Sequence, residues 1–208
     1  IGKKIVSDGL NDSTFDVTNK GIHVGAEQFN ELIEDPDTVL VDMRNHYESE
    51  IGHFKNAITP DVDTFRDSLD IIERDLAEHK EDKKLVMYCT GGIRCEVLSS
   101  LMVSRGFSEV YQMDGGIVRY GESFGNTGLW EGALYVFDGR ESITFGTDAA
   151  TIGACVTCGA ATSRMVNCAE GDCRVRVAHC EECTDAASAL CSRHAGVMRP
   201  AGAVADRN

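Results

Sequence analysis

The stretch "KKLVMYCTGGIRCEVLSS" (83–100) decides the fold of this chain. Its short apolar run, "KLVMYC" (84–89), predicts a buried strand. Two glycines follow, and then "CEVLSSLMVSRG" (95–106), whose apolar spacing predicts a helix that ends at Gly106. A strand, a tight glycine loop and a helix in direct succession are typical of α/β sheets, in which the working site lies at the carboxyl ends of the strands.

The first 125 residues repeat this alternation of strands and helices. Further helices are predicted at 24–35, 63–80 and 117–125, and further buried strands at 38–44 and 108–116. Strands that alternate with helices form sheets in which both faces are covered. We therefore predict an α/β fold with an open, mainly parallel sheet and helices on both faces.

Four parts are predicted along the chain. Residues 1–20 form an N-terminal linker or the remnant of a missing domain, since the chain does not open on methionine. Residues 21–125 form the α/β catalytic domain, 126–153 an irregular connector with one apolar piece, "ALYVFD" (133–138), and 154–208 a cysteine-rich module. This module is too short, and too poor in large apolar residues, to hold a core of its own without staples.

The charge of the chain limits its partners. The formal net charge is −14, from 20 basic and 34 acidic residues, and the imbalance lies in residues 1–154, whereas 155–208 hold six of each sign. Acidic surface repels polynucleotides unless basic residues are concentrated locally, which counts against nucleic acids in general as partners, and we expect no DNA partner. Because no apolar run approaches the roughly 18 residues of a membrane span, and the first residues contain no secretory signal, we expect a cytoplasmic protein without a membrane partner.

Cys89 stands at the end of the predicted central strand, at the base of the glycine loop. Only a thiolate is a good nucleophile, and a free thiol has a pKa of about 8.5. Converging backbone N–H groups, the positive end of the next helix and the charge of Arg94 should all lower that pKa. The loop is thus predicted to be an anion cradle with Cys89 as its nucleophile. The active-site loop consists of Thr90, Gly91, Gly92 and Ile93.

The spacing of the cysteine and the arginine sets the size of the anion that the loop can hold. The layout resembles that of the cysteine phosphatases, but their arginine lies six residues after the cysteine, and here Arg94 lies five after Cys89. The tighter ring suits a persulfide or a similar small group better than a phosphate. The competing interpretation is a buried strand-end cysteine followed by an ordinary glycine turn.

Two flanking stretches resemble the rhodaneses. "VDMRNHYESEIGHFKNA" (41–57) is similar to the rhodanese pattern D-x-R…E-x-x-x-GH-x-x-x-A. The matching positions are Asp42, Arg44, Glu48, Gly52, His53 and Ala57. "VYQMDGGIVRY" (110–120) is similar to the closing motif of the family. Its matching positions are Gly115, Gly116, Ile117 and Tyr120. The resemblance covers roughly residues 20–122 and implies a rhodanese-like domain.

The resemblance suggests roles for the polar residues near the predicted strand end. Asp42, Glu48 and His53 are expected to be structural, holding the loop and the strand ends. Arg44 and His46 lie near the same strand end and are weaker candidates for contact with substrate. Cys95 has two open interpretations: a resolving thiol that acts with Cys89 as a catalytic residue, or a small buried core residue that faces the loop.

The chain resembles a narrower family, the rhodanese-like tRNA uridine(34) hydroxylases of TrhO type. The resemblance is carried by "DGLNDSTFDVTNKGIHVGAEQFNEL" (8–32), "VDMRNHYESEIGHF" (41–54), the octet "CTGGIRCE" (89–96) and the cysteine-rich tail. It implies an oxidoreductase in tRNA processing that uses molecular oxygen to convert the wobble uridine to 5-hydroxyuridine, with Cys89 at the position of the essential cysteine. The resemblance also implies a further N-terminal domain of ferredoxin-like type, usual in family members, and we expect this sequence to begin after it.

Eight potential metal ligands form four short pairs in the cysteine-rich module. The pairs are Cys155 and Cys158, Cys168 and Cys173, Cys180 and Cys183, and Cys191 and His194. Each spacing can place two ligands on one tetrahedral ion, so we expect two structural zinc ions. Alternating pairs would share an ion in a cross-brace, while consecutive pairing, or replacement of one ligand by His179, stays open. Free or disulfide-bonded cysteines are the alternative, disfavoured without a secretory signal. Eight ligands that include a histidine fit zinc better than an iron–sulfur cluster.

Three functions compete. The first is the tRNA hydroxylase, for which we expect the basic surface to come from a missing N-terminal domain or from the tail. In the tail, the arginines are either contacts to RNA phosphates or ordinary solvated side chains; they are Arg164, Arg174 and Arg176. The second is a sulfurtransferase that forms a persulfide on Cys89 from a thiosulfate-like donor. The third, a non-catalytic interaction protein, is disfavoured by the intact cysteine and arginine. Because of its acidity we expect this chain alone to bind tRNA weakly.

Overall fold

The computed structural model describes residues 16, 18–62, 71–72, 74, 76–170, 172–173, 175–186 and 189–195, and every structural statement here concerns these residues. Most of the helix predicted at 63–80 lies outside them, as does Arg174.

The elements alternate along the chain as predicted. The strands are β1 (Ile22–Val24), β2 (Thr38–Asp42), β3 (Gly52–Phe54), β4 (Lys84–Tyr88), β5 (Glu109–Met113), β6 (Trp130–Gly132), β7 (Leu134–Tyr135), β8 (Ser142–Ile143), β9 (Met165–Asn167) and β10 (Arg176–Ala178). The helices are α1 (Ala26–Glu34), α2 (His46–Ile51), α3 (Ile93–Ser104) and α4 (Gly116–Phe124), with 3₁₀ turns at Ala77–His79, Gly125–Thr127 and Glu181–Ala186. Within the α/β domain, β1, β3 and α2 were not predicted, and α3 begins two residues earlier than predicted.

A four-stranded parallel sheet forms the centre of the α/β domain. Its order is β1-β5-β4-β2, and each neighbouring pair is parallel. The central strand, β4, is buried from Leu85 onward, as its continuous apolar run predicts. Side chains of a strand point alternately to its two faces, so Leu85 and Met87 pack with α3, while Val86 and Tyr88 pack with α1 and α4. The predicted open parallel sheet with helices on both faces is confirmed.

The C-terminal part of the chain packs against the α/β domain. Strand β6, from the predicted connector, pairs with β3 in an antiparallel ladder. A small apolar cluster joins Tyr47 and Ile51 of α2 to side chains of the connector and of the cysteine-rich module. The partners in this cluster are Ala133, Tyr135, Met165 and Ala178. Helix α2 therefore contacts both the connector and the cysteine-rich module.

A buried ion pair ties the end of β2 to α2 and β3. The Arg44 guanidinium donates to both carboxylate oxygens of Asp42, with Nε–Oδ1 at 2.9 Å and Nη2–Oδ2 at 2.6 Å. It also donates to the carbonyl oxygens of Glu48 and Gly52, at 3.3 and 2.6 Å. Both side chains of the pair are fully buried. Arg44 was a candidate substrate contact; here its side chain is fully buried and its donors are used within the fold, and contact with substrate stays a prediction.

Replacing Arg44 with methionine should leave the Asp42 carboxylate buried without its partner. Losing one member of a buried pair costs about 3–5 kcal/mol of unfolding free energy, which chemical denaturation would measure. The chain offers a matched control, because Arg140 binds Asp138 with nearly the same geometry, at 3.0 Å for Nε–Oδ1 and 2.6 Å for Nη2–Oδ2, but on the surface. Arg140→Met should leave stability nearly unchanged. Equal effects of the two substitutions would contradict a structural role specific to Arg44.

Candidate active site and metal centres

Cys89 follows β4 directly and is almost completely buried, with 2% of its surface exposed. Gly92 has a φ of +87°, a left-handed conformation that favours glycine. This turn lets the Gly92 amide donate to Cys89 Sγ at 3.1 Å. The amides of Arg94 and Cys95, in the first turn of α3, also hydrogen-bond to the sulfur. Three backbone donors therefore converge on one sulfur atom, as predicted for an anion cradle.

The first turn of α4 supports the other side of the active-site loop. The amides of Ile117 and Val118 donate to the carbonyl oxygens of Cys89 and Thr90, both at 3.1 Å. Gly116 lies beneath the loop with a φ of +64°, and a Cβ at this position would come within 2.5 Å of the Cys89 carbonyl oxygen. A side chain at Gly116 would therefore displace the strand end that carries Cys89. This contact explains the Gly-Gly-Ile motif in physical terms.

Arg94 is held by Glu48 of α2. Arg94 Nη1 lies 2.9 Å from Glu48 Oε1 and Nη2 lies 3.1 Å from Oε2, and the Glu48 side chain is fully buried. The Thr90 hydroxyl and the Asn45 amide also donate to this carboxylate, at 3.3 and 3.1 Å. Glu48 therefore fixes Arg94 beside the loop, in agreement with its expected structural role. The arginine charge is shared between this carboxylate and the sulfur.

The surroundings of Cys89 favour its thiolate. A hydrogen bond from the Cys95 thiol is the largest effect and, together with the Arg94 charge and the backbone amides, outweighs burial and lowers the pKa of Cys89 to about 6. Burial, followed by the hydrogen bond to Cys89, raises the pKa of Cys95 well above its ordinary value, so Cys95 keeps its proton and remains a donor. At pH 7 a thiol with this pKa is roughly nine-tenths ionised. Arg94 and the backbone amides were predicted to stabilise the thiolate, but the larger effect of the Cys95 thiol was not predicted.

His46, the second candidate substrate contact, begins α2 and is largely buried. Its Nδ1 lies 3.0 Å from the Val62 carbonyl oxygen, and its ring packs edge-on against Tyr47 at a centroid distance of 5.8 Å. Contact of His46 with substrate stays a prediction.

One aromatic side chain beside the loop was missed. Phe137 comes from the apolar piece at 133–138, yet it is exposed, and Arg94 Cζ lies 5.5 Å from the centroid of its ring. Its ring also meets Tyr135 edge-on at 5.1 Å, and Tyr135 in turn meets Tyr47 at 5.3 Å. Neither the composition of this piece nor its spacing distinguishes Phe137 from a core residue, so the sequence alone gave no signal for it.

The eight predicted metal ligands form two groups in the structure. Cys155, Cys158, Cys180 and Cys183 form one group, and Cys168, Cys173, Cys191 and His194 form the other. Within each group the ligand atoms all lie within 4.8 Å of one another. Alternating pairs therefore come together, as the cross-brace arrangement predicts, rather than consecutive pairs. His179 is in neither group: its Nε2 lies 3.1 Å from the Thr157 hydroxyl.

The distances within both groups fit a tetrahedral ion. The sulfur atoms of Cys158 and Cys180 lie 3.6 Å apart, and those of Cys173 and Cys191 lie 3.9 Å apart. Zinc–sulfur bonds of about 2.3 Å in a tetrahedron separate two sulfur atoms by about 3.8 Å, whereas a disulfide bond is about 2.05 Å long. All nine cysteines are free thiols here. The two groups can thus hold metal ions and are compatible with zinc.

The arginines of the cysteine-rich module are partly engaged within the fold. Arg176 binds Glu141, with Nη2–Oε1 at 2.5 Å, and lies over the Tyr135 ring at 5.7 Å. Arg164 donates to the His179 carbonyl oxygen at 3.1 Å. Both residues therefore connect parts of the C-terminal region, and contacts from them to RNA phosphates stay a prediction.

Comparison with known proteins agrees with this architecture. Residues 25–123 match the model of the rhodanese-like domain. Residues 131–195 match a second model, described as rhodanase C-terminal. The α/β domain with its cysteine loop is therefore a rhodanese-like domain, and the cysteine-rich region belongs to a type of segment that follows such domains.

The family follows from closer relatives. The tRNA uridine(34) hydroxylase of Corynebacterium jeikeium is 54% identical over 180 residues, covering 85% of this chain and 58% of the relative. That of Rhodococcus erythropolis is 51% identical over 170 residues, covering 81% and 59%. A solved rhodanese-like domain from Anabaena sp. is 19% identical, with a TM-score of 0.44, covering 62% of this chain and 92% of that domain. The chain belongs to the tRNA uridine(34) hydroxylase family of rhodanese-like proteins and spans about three-fifths of the length of these relatives.

Among the described residues, no helix combines the length and the apolar character needed to cross a membrane.

Cys95→Ala should raise the pKa of Cys89, because it removes the thiol that donates to the sulfur. Only the thiolate is alkylated efficiently, and a hydrogen bond to a charged group contributes about 1.5–3 kcal/mol. Alkylation of Cys89 by iodoacetamide at pH 6 should therefore slow by roughly 7- to 80-fold, while the rates converge at high pH. Mass spectrometry of the peptide that contains Cys89 measures this rate. Cys95→Ser keeps a hydroxyl donor and serves as the control, and the same pH midpoint in both variants would contradict the role of the thiol.

Metal analysis of the purified protein should find about two zinc ions per chain. His194→Ala should remove one ion and Cys183→Ser the other, because these residues lie in different groups. Each loss should lower the thermal midpoint, since metal binding contributes to the folding free energy. Intact-mass measurement can contradict this prediction. A mass that shows disulfide-bonded cysteines and no bound metal would rule out both metal sites.

Proposed function

We propose that this chain carries the catalytic centre of a tRNA uridine(34) hydroxylase, which converts the wobble uridine to 5-hydroxyuridine with molecular oxygen as co-substrate. One oxygen atom would enter the base, and the other would leave as water with two electrons from an external reductant. The observation that carries the proposal is the Cys89 thiolate, held by three amides and the Cys95 thiol, in a chain about half identical to proteins named for this activity. The relatives are named for this activity, and we extend it to this chain.

The proposed roles follow from the geometry. Cys89 is the reacting group, because its sulfur is ionised near neutral pH. Cys95 keeps its proton and stabilises the thiolate. Arg94, fixed by Glu48, keeps a positive charge beside the loop throughout the reaction. The two metal groups have four protein ligands each, which leaves no open position for chemistry, so we assign structural zinc to them.

The proposed partner is tRNA, which places the activity in the cytoplasm. The acidity of residues 1–154 opposes tight binding through phosphates alone. A basic surface outside the rhodanese-like domain, together with contacts to unstacked bases of the anticodon loop, is therefore part of the proposal.

A sulfurtransferase is the second candidate. It is favoured by the small loop, in which Arg94 follows Cys89 by five residues, and by the low pKa of Cys89, since both suit a persulfide. The Cys89 thiolate would then attack the outer sulfur of a thiosulfate-like donor, forming a persulfide and releasing sulfite, and an acceptor thiol would take that outer sulfur and regenerate the Cys89 thiolate.

Cys89→Ser should abolish the modification in cells that lack the chromosomal gene and carry the variant. A hydroxyl is not ionised near pH 7 and cannot replace the thiolate, so 5-hydroxyuridine and nucleosides derived from it should fall to the level of the deletion strain. Liquid chromatography with mass spectrometry of tRNA nucleosides measures them, and the wild-type gene is the control.

Unchanged modification in the Cys89→Ser strain would reject the hydroxylase. Turnover of thiosulfate and cyanide by the purified wild-type protein, lost in Cys89→Ser, would then support the sulfurtransferase instead.

A further inference from the structure

An exposed aromatic ring lies at the rim of the active-site loop. Phe137 keeps 62% of its surface exposed, the largest value among the exposed large apolar residues of the part of the chain that the structure describes. Ile93, within the loop itself, is also exposed, at 47%. Arg94 lies next to both, since it follows Ile93 in sequence and its guanidinium contacts the Phe137 ring. Exposed aromatic rings are the surfaces on which single-stranded nucleic acids stack their bases.

The ring of Phe137 has a firm base. It meets Tyr135 nearly perpendicularly, at an interplanar angle of 83°. Tyr135 is buried, packs against Tyr47 of α2, and is covered by the Arg176 guanidinium. A ring supported in this way loses little conformational freedom when a ligand stacks on it. The exposed surface of Phe137 is therefore pre-organised for contact with a flat partner.

One arginine connects this ring to the reactive sulfur. The Arg94 guanidinium contacts the Phe137 ring, pairs with Glu48, and contributes by its charge to the low pKa of Cys89. A nucleobase that stacks on Phe137 would therefore lie next to Arg94, on the side of the active-site loop from which another base can reach Cys89. Phe137 itself belongs to residues 131–195, the rhodanase C-terminal match, so the region after the rhodanese-like domain contributes to the site.

We propose that Phe137 is a stacking platform for a nucleobase of the tRNA anticodon loop, and that it positions the RNA for reaction at Cys89. The inference rests on the proposed function. Proteins read single-stranded RNA loops by stacking splayed bases on aromatic rings, which needs no positive charge. This mode of binding suits a chain with a net charge of −14, for which attraction to phosphates is weak.

Activity measurements on three variants test the proposal. Phe137→Ala should lower kcat/KM for tRNA by roughly 5- to 150-fold, the range found when one stacking side chain is removed. Phe137→Tyr keeps a ring and should retain near wild-type activity. Phe137→Leu keeps an apolar side chain without a ring and should behave like Phe137→Ala. Activity of Phe137→Leu equal to that of Phe137→Tyr would overturn stacking, because apolar contact would then be sufficient.

A fluorescence measurement tests contact with a base directly. Phe137→Trp places an indole at the rim, whereas the chain's natural tryptophan, Trp130, is buried. An RNA anticodon stem–loop with uridine at position 34 should quench the variant but not the wild-type protein. An abasic nucleotide at one of positions 33 to 35 should remove the quenching. Quenching absent from the variant at RNA concentrations that saturate binding, or retained with all three abasic RNAs, would overturn the proposal.

Two further measurements separate this proposal from its alternatives. If Phe137→Ala is fully active while Cys89→Ser is inactive, stacking on Phe137 is wrong, but the proposed hydroxylase function is retained. If Cys89→Ser leaves the modification unchanged, the proposed function itself is wrong. The rate of Cys89 alkylation should be the same in Phe137→Ala and wild type, because the loop stays intact, and a large change would assign Phe137 to loop structure instead. A change of oligomeric state in Phe137→Ala, with no RNA quenching in Phe137→Trp, would assign the ring to a contact between two copies of the chain.

Discussion

The buried carboxylate of Glu48 is the group on which the rest of the site depends. It closes a capping box at the start of α2 with Asn45 and binds Arg94 through both oxygens. A fully buried carboxylate is expensive unless each of its oxygens is paired, and here an arginine, an amide and a hydroxyl satisfy it. The packing of α2, which carries Glu48, therefore fixes the position of Arg94. Since α2 packs on the cysteine-rich module, a change in that module can reach the active-site loop through Glu48.

The cysteine-rich module has too little apolar surface to fix its own shape. Its buried cluster contains Cys168, Val177 and Cys191, so two of these three residues are also predicted metal ligands. The hairpin of β9 and β10 is short, with three paired residues on each strand. Metal ions at the two ligand groups would cross-link these segments and supply the stability that the core cannot. A module of this kind stays rigid enough to hold Tyr135, and with it the ring of Phe137, beside the loop.

The sequence predicted the fold and the local part of the site, but not the contacts between distant segments. The strand, loop and helix around Cys89 are contiguous, so their periodicity and glycines were sufficient. The pairing of Arg94 with Glu48 spans 46 residues and depends on the parallel order of β2 and β4. The burial of Arg44, a weaker candidate for substrate contact, could not be predicted, because it results from strands and turns that converge only in the fold. Helix α2 was missed since, with six residues and a buried face rich in polar groups, it has no apolar period.

The acidity of the chain opposes both formation of a thiolate and the approach of RNA, so short-range interactions must overcome it. At physiological salt the field of a surface charge decays over about 8 Å. Most carboxylates of the domain therefore have little influence on Cys89, whereas the amides of the loop and the Cys95 thiol act at hydrogen-bonding distance. Base stacking is likewise a contact interaction that depends little on net charge. A strongly acidic chain can thus keep an ionised sulfur beside an RNA-binding surface, provided that both are built from dipoles and rings rather than from excess positive charge.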